Sequence, residues 1–114
     1  MRIQIEKMGA VHVLRLQGKL AVGDGDRELR DAVRDLLNQG ESKILINMRE
    51  LAYVDSAGLG ETVACKKRAL EKSGDVRLVL GSGGKPEEVF VLTWLDRIFQ
   101  IYPSEEEGLA GFSS

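Results

Sequence analysis

The chain has 114 residues, 43% hydrophobic and 30% charged, a size and balance that suit one folded domain and argue against disorder. Its 16 basic and 18 acidic side chains leave a net charge of −2 with no long single-sign run, so nothing suggests general nucleic-acid binding. No apolar stretch approaches the ~20 residues of a membrane helix, and the charged opening "MRIQIEKMGA" does not read as a signal peptide, so no membrane insertion is expected.

Taken in chain order, "RIQIEK" alternates apolar and polar residues with Ile3 and Ile5 on one face, the period of a half-buried strand. "MGA" reads as a tight turn. "VHVLRLQG" resumes the alternation, so the two segments form a hairpin. The loop "GKLAVGDGD" follows, with three glycines including Gly18. Asp24 or Asp26 is placed to cap the next helix. From Arg27 to Asn38, Leu29, Ala32, Val33, Leu36 and Leu37 form one helical apolar stripe. Arg27, Arg30, Asp31, Arg34 and Asp35 take the wet side, and Gly40 terminates the helix. "KILINM" is a continuous apolar run, as expected of a strand covered on both faces, and "RELAYV" carries the chain to Asp55.

A second helix starts at Ser56 or Ala57 and runs to about Ser73, where Gly74 ends it. Its small residues Gly58, Gly60, Ala64, Cys65 and Ala69 allow close approach to a sheet or a partner. "VRLVL" is a further buried-type strand. "GSGGKPEEV" opens a third helix, with Pro86 in its first turn and Glu87 and Glu88 favoured by the helix dipole. "IYPSEEEGLAGF" supplies a short strand and a last helix capped near Ser104. The order is therefore β-β-α-β-α-β-α-β-α. It predicts an α/β fold over 1–114, a mainly parallel sheet with an antiparallel N-terminal hairpin and about four helices.

The question of chemistry centres on "VDSAGLGE", residues 54–61, and on Ser56. A nucleophile elbow needs glycine two residues before and two after the serine; Gly58 is present, but Val54 fills the other place. A triad also needs a base, and the only histidine, His12, lies inside an alternating strand. That single histidine also argues against a His-based metal site. A second reading is helix capping by Asp55 or Ser56, although Leu59 stands where a capping box would have Glu. A third is a phosphoacceptor at a helix start, where a phosphate meets the positive end of the macrodipole. Spacing alone leaves these open.

The stretch "ILINMRELAYVDSAGLGETVACKKRALEKSGDVRLVL" resembles the core of the STAS domain of bacterial anti-sigma factor antagonists. There an apolar strand leads to an Asp-Ser-(Ser/Thr/Ala)-Gly-(Leu/Ile)-Gly segment and a switch helix. The matching residues here are Asp55, Ser56, Ala57, Gly58, Leu59 and Gly60. "VLRLQGKL" looks like the family's second strand, and "WLDRIFQIYPSEEEGLAGF" like its C-terminal segment, so the resemblance covers nearly the whole chain.

The resemblance implies a protein that is not an enzyme and binds no cofactor of its own. It implies binding to an anti-sigma factor, a serine kinase of the histidine-kinase-like ATPase fold, so that a sigma factor is freed. Phosphorylation at Ser56 would end the binding, and a serine phosphatase would restore it. The surface implied is the Asp55–Gly60 segment with the loop of Gly23, Asp24 and Asp26 beside it. The alternative within the family is a subunit of a lipid-transport ATPase or stress-signalling complex, with Ser56 unmodified. Three positions depart from the family's pattern. Ala21 stands where an acidic residue is frequent, Asn47 where aspartate is common, and Trp94 where glycine is frequent after the third helix. Trp94 is expected to be buried, as most tryptophans largely are.

Other signals read as structural. "GSGGK" fails the phosphate-loop pattern at Val79 and Pro86, leaving a strand-to-helix loop. Cys65, without a cysteine partner, is expected to be a small buried residue and fits a reducing, cytoplasmic setting. Lys66, Lys67 and Arg68 read as a solvated face able to attract an acidic patch.

Overall fold

The computed structural model describes residues 1–113. Strands β1 (Arg2–Met8) and β2 (Val11–Leu20) form the hairpin, followed by α1 (Gly25–Asn38) and β3 (Lys43–Val54). Helix α2 (Ser56–Glu71), β4 (Asp75–Val79), α3 (Lys85–Leu92), a 3-10 turn (Leu95–Arg97), β5 (Ile101–Tyr102) and α4 (Glu105–Ser113) complete the chain. The five strands lie in sequence order in one sheet. β1 is antiparallel to β2, and every other pair is parallel. The element order and the mixed α/β sheet are those expected from the sequence.

Strand alternation divides the apolar residues between two faces. Leu14 and Leu16 of β2, Ile44, Ile46 and Met48 of β3, and Val76 and Leu78 of β4 meet α1, α2 and α3 in the main core. Val11, Val13, Leu45 and Val79 point the other way, under Leu109 and Phe112 of α4 and Tyr102 of β5. The two helices at the centre of the main layer are clasped by Glu61 of α2. Its carboxylate lies 3.4 Å from Arg30 of α1 and 2.7 Å from Arg68 of its own helix.

Several local expectations are corrected. Ile5 is 47% exposed, because β1 is an edge strand and only Ile3 reaches the core. Gly18 lies within β2, not in the loop, with φ +102° beside a shift in register against β3. A second shift lies between Arg15 and Gln17. Such irregularities break the period-2 pattern, so "RELAYV" continues β3 to Val54 without strict alternation. Neither Asp24 nor Asp26 caps α1. Asp24 is the N-cap residue but its carboxylate makes no capping bond, and Asp26 Oδ1 accepts from the adjacent Arg27 amide.

Helix α1 does end as expected. Gly40 adopts φ +82°, its amide donates to Leu37 and that of Glu41 to Leu36, the paired bonds of a Schellman turn. At the end of α2 the left-handed residue is Ser73, with φ +62°, rather than Gly74. Gly74 is required for space, since a Cβ there would collide with the Ser42 carbonyl oxygen. Trp94 is 65% exposed rather than buried. Its φ of +63° explains why glycine suits this place, and the Arg97 guanidinium stacks 4.3 Å from its ring.

Two glycines on one turn of α2 have opposite surroundings. A Cβ on Gly58 would strike the Leu20 carbonyl oxygen and lie 2.8 Å from Leu20 Cγ, whereas Gly60 opens to empty space. Gly58→Ala is expected to destabilise the fold by about 1–3 kcal/mol through overpacking. Gly60→Ala is expected to stabilise it by about 0.5–1 kcal/mol through helix propensity. Urea unfolding of both variants checks this, and effects of the same sign would contradict the close approach at Gly58.

Candidate functional site

The site is built where β2 and β3 end side by side. Leu20 and Val54 are register partners, and the chain leaves β2 toward α1 and β3 toward α2. The Leu20 carbonyl accepts from the Asp55 amide at 3.2 Å, and it is the same carbonyl that Gly58 packs against. Asp55 then joins three segments. Its Oδ1 accepts from the Gly58 amide at 2.9 Å, capping α2, and its Oδ2 accepts from the Val22 amide at 2.9 Å. Its carbonyl accepts the first helical bond, from Leu59, at 2.9 Å.

These bonds hold the Asp55 carboxyl below its usual range, the Val22 amide contributing most and the Gly58 amide next. An ionised carboxylate is the better acceptor for both amides, so the tether and the charge reinforce one another.

This geometry decides between the structural readings of Ser56. Asp55 is the N-cap, and Ser56 is the first helical residue, exposed to solvent. Its hydroxyl makes no hydrogen bond among the described residues. The nucleophile reading lacks a base by position. His12 pairs with Ile44 near the start of β2 and lies 3.7 Å from Glu41, at the opposite end of the sheet from Val54. Eight residues of strand separate His12 from Leu20, roughly 26 Å.

The other expected surface residues divide. Ala57 is half-buried and Gly60 exposed, whereas Gly58 and Leu59 face inward. The openness of Gly58 therefore serves the protein's own Leu20, not an outside partner. Gly23 and Asp24 are exposed and Asp26 is half-buried. The Val22 tether brings their loop against the start of α2. Beside it, Tyr53, Val54, Val89 and Leu92 line an apolar groove of about 230 Å³ flanked by Lys85 and Glu88. Nothing in the local sequence signals this groove, since β3 and α3 meet only in the tertiary fold.

The supposed basic face of α2 is mostly consumed internally. Lys66 pairs with Asp75 at 2.6 Å and Arg68 with Glu61, which leaves Lys67 as the exposed member. Cys65 is fully buried, and burial pushes its thiol up to about 12. At the departure position 47, the Asn47 amide donates to Glu105 Oε2 at 2.6 Å, beside Arg15. An aspartate there would have no donor to offer that carboxylate.

The lowered Asp55 value fixes the sign of a pH effect. Its contribution to stability is present above the ordinary aspartate range and is lost as pH falls through the lower folded-state value. Thermal melts of the wild type and Asp55→Asn should therefore differ most at neutral pH and converge as the pH falls below the unfolded aspartate value of about 3.9. A difference that grows on acidification would refute the tether.

The STAS domain family model matches residues 2–108. A Thermotoga maritima protein provisionally named an anti-sigma factor antagonist is 33% identical over 75 residues, which span 66% of this chain and 66% of that relative. The crystal structure of a provisionally named anti-sigma factor antagonist from Thermotoga maritima has a TM-score of 0.85 at 26% identity, over 98% of this chain and 95% of that one. The phosphorylated form of the Bacillus cell fate determinant SpoIIAA shares the fold, with a TM-score of 0.72 at 23% identity over 96% of this chain and 97% of that one. With the family match running from β1 into α4 and the sheet and helices arranged as described, this chain belongs to the STAS domain family.

Proposed function

We propose that the protein is an anti-sigma factor antagonist whose unmodified form binds an anti-sigma factor and so frees a sigma factor, and that phosphorylation of Ser56 ends this binding. The anti-sigma factor is a serine kinase of the histidine-kinase-like ATPase fold, and a serine phosphatase resets the cycle. ATP and its metal ion belong to that kinase. The domain itself acts by binding and not by catalysis. The observation that carries this reading is the division of labour at the start of α2: Asp55 holds the helix, and the exposed Ser56 hydroxyl is left without a structural task.

A phosphate on Ser56 would add about −1.5 to −2 charges at the positive end of a 16-residue helix. The helix dipole favours that charge by roughly 0.3–1 kcal/mol, while the neighbouring Asp55 carboxylate opposes it. Neither effect is large enough to unfold a helix already capped. The phosphate instead presents a hydrated dianion to a surface formed by Ser56, Ala57, Gly60, Gly23 and Asp24, with the Tyr53–Leu92 groove beside it. A partner that closed over it without providing cations would have to desolvate that charge, at several kcal/mol. Binding is thus switched while the fold stays unchanged.

Tagged wild type, Ser56→Ala and Ser56→Glu, used as baits in cells of the source organism, test the proposal. Wild type and Ser56→Ala are expected to capture an ATPase-fold kinase. Ser56→Glu should capture it at least ~10-fold less, equivalent to about 1.4 kcal/mol, and mass spectrometry should find phosphate on the wild-type Ser56 peptide. Equal capture by all three baits, with an unmodified Ser56 peptide, would sink the switch.

A further inference from the structure

We propose that the open edge of β1 is a self-association surface, on which two copies of the chain pair antiparallel about a two-fold axis at Gln4 to join their sheets. The two edges of the sheet are unlike. β5 offers two residues, whereas β1 offers seven, with Ile5 47% and Met8 37% exposed. A long uncovered edge carries unpaired backbone amides and carbonyls and is a template for another strand.

The backbone is in phase for such pairing. Gly9 has φ +65° and Ala10 has no positive φ, so a two-residue turn of the II′ kind closes the hairpin between Met8 and Val11. The closing bond points the Met8 backbone toward β2, and alternation does the same for Glu6, Gln4 and Arg2. The amides and carbonyls of Ile3, Ile5 and Lys7 therefore face the open side.

The side chains select the register. The run "RIQIE" is symmetric about Gln4 in size and antisymmetric in charge. Pairing centred there sets Arg2 opposite the partner's Glu6, and Ile3 opposite the partner's Ile5, on alternate faces. The exposed Ile5 is then covered, and Ile3 and Ile5 are the residues whose backbones exchange hydrogen bonds. Arg2 would join a charged pair that exists already, since Glu6 Oε1 lies 2.8 Å from Arg15 Nη1. Centring on Ile5 instead would oppose Gln4 with Glu6 and Ile3 with Lys7, losing both matches. Edge charges ordinarily prevent strand pairing. Here their opposite signs at mirrored positions reverse that effect for one partner only, a second copy of this chain. Ser56 follows β3, two strands in from this edge, so the inference stands apart from the proposed switch.

The test is site-specific cross-linking of the full chain under mild oxidation. Cys65 is fully buried, so an introduced thiol is the exposed one. Gln4→Cys lies on the axis and is expected to form a disulfide-linked dimer. Lys7→Cys would be held roughly 20 Å from its copy and is expected not to. Adding Arg2→Glu to Gln4→Cys should slow linkage by about ten-fold, and further adding Glu6→Arg should restore it. Circular dichroism on each variant confirms that it is folded. Linkage at Gln4 with the charge-swap rescue supports the proposal. Equal linkage at both positions, no linkage at Gln4 in a folded variant, or no rescue overturns it.

Discussion

The Leu20 carbonyl and the Asp55 carboxylate form the junction on which the candidate site depends. Leu20 ends one strand, and its carbonyl receives the amide of Asp55, which directly follows the end of the next. Asp55 in turn holds the first turn of α2 through Gly58 and the loop before α1 through Val22. Two crossover connections leave the sheet at this point, and three hydrogen bonds through one residue fix their relative positions. Gly58 makes the junction possible, because a side chain there would meet the carbonyl that anchors it.

This arrangement relieves Ser56 of any part in holding the fold. A serine that capped the helix would be tied to an amide, and modifying it would threaten the helix. With the adjacent aspartate as cap, the serine presents its hydroxyl freely, and the proposed phosphorylation would leave the capping bond to Gly58 in place. The inward turn of Gly58 and Leu59 belongs to the same division. The motif has a face that builds the junction, Asp55, Gly58 and Leu59, and a face that remains outside, Ser56, Ala57 and Gly60.

Charged side chains elsewhere serve mainly to join elements. Glu61 clasps α1 to α2 through Arg30 and Arg68, Lys66 reaches Asp75 of β4, and Glu105 ties α4 to Arg15 and Asn47. Arg15 and Asn47 supply the hydrogen bonds that hold the Glu105 carboxyl below its usual range, Arg15 contributing more. These pairs are partly exposed, so each adds modest stability, and their value lies in orienting helices on the sheet. They also explain why a run of basic residues in sequence is not a basic patch in space.

The sequence by itself determined the order of the elements, the division of strands between a hairpin and crossovers, and the segment that carries the candidate site. The order and the division follow from the periodicity of apolar residues and from turn chemistry, which act over a few neighbouring positions, and the segment follows from its resemblance to the family's Asp-Ser motif. The helix stripe of α1, the Gly40 turn and the Asp-Ser motif are local in this sense. What only the tertiary structure decided was which of two adjacent polar residues caps α2, where Gly58 is pressed, and which charges of α2 remain free. It also decided that β3 continues through two irregularities to Val54, that α1 begins without a side-chain cap, and that Trp94 stands exposed in a left-handed conformation. Several of these depend on a partner distant in the chain: Leu20 and Val22 for Asp55 and Gly58, Asp75 for Lys66, and β2 for the bends in β3. Local periodicity holds no record of such partners, because they are set by packing distant segments together.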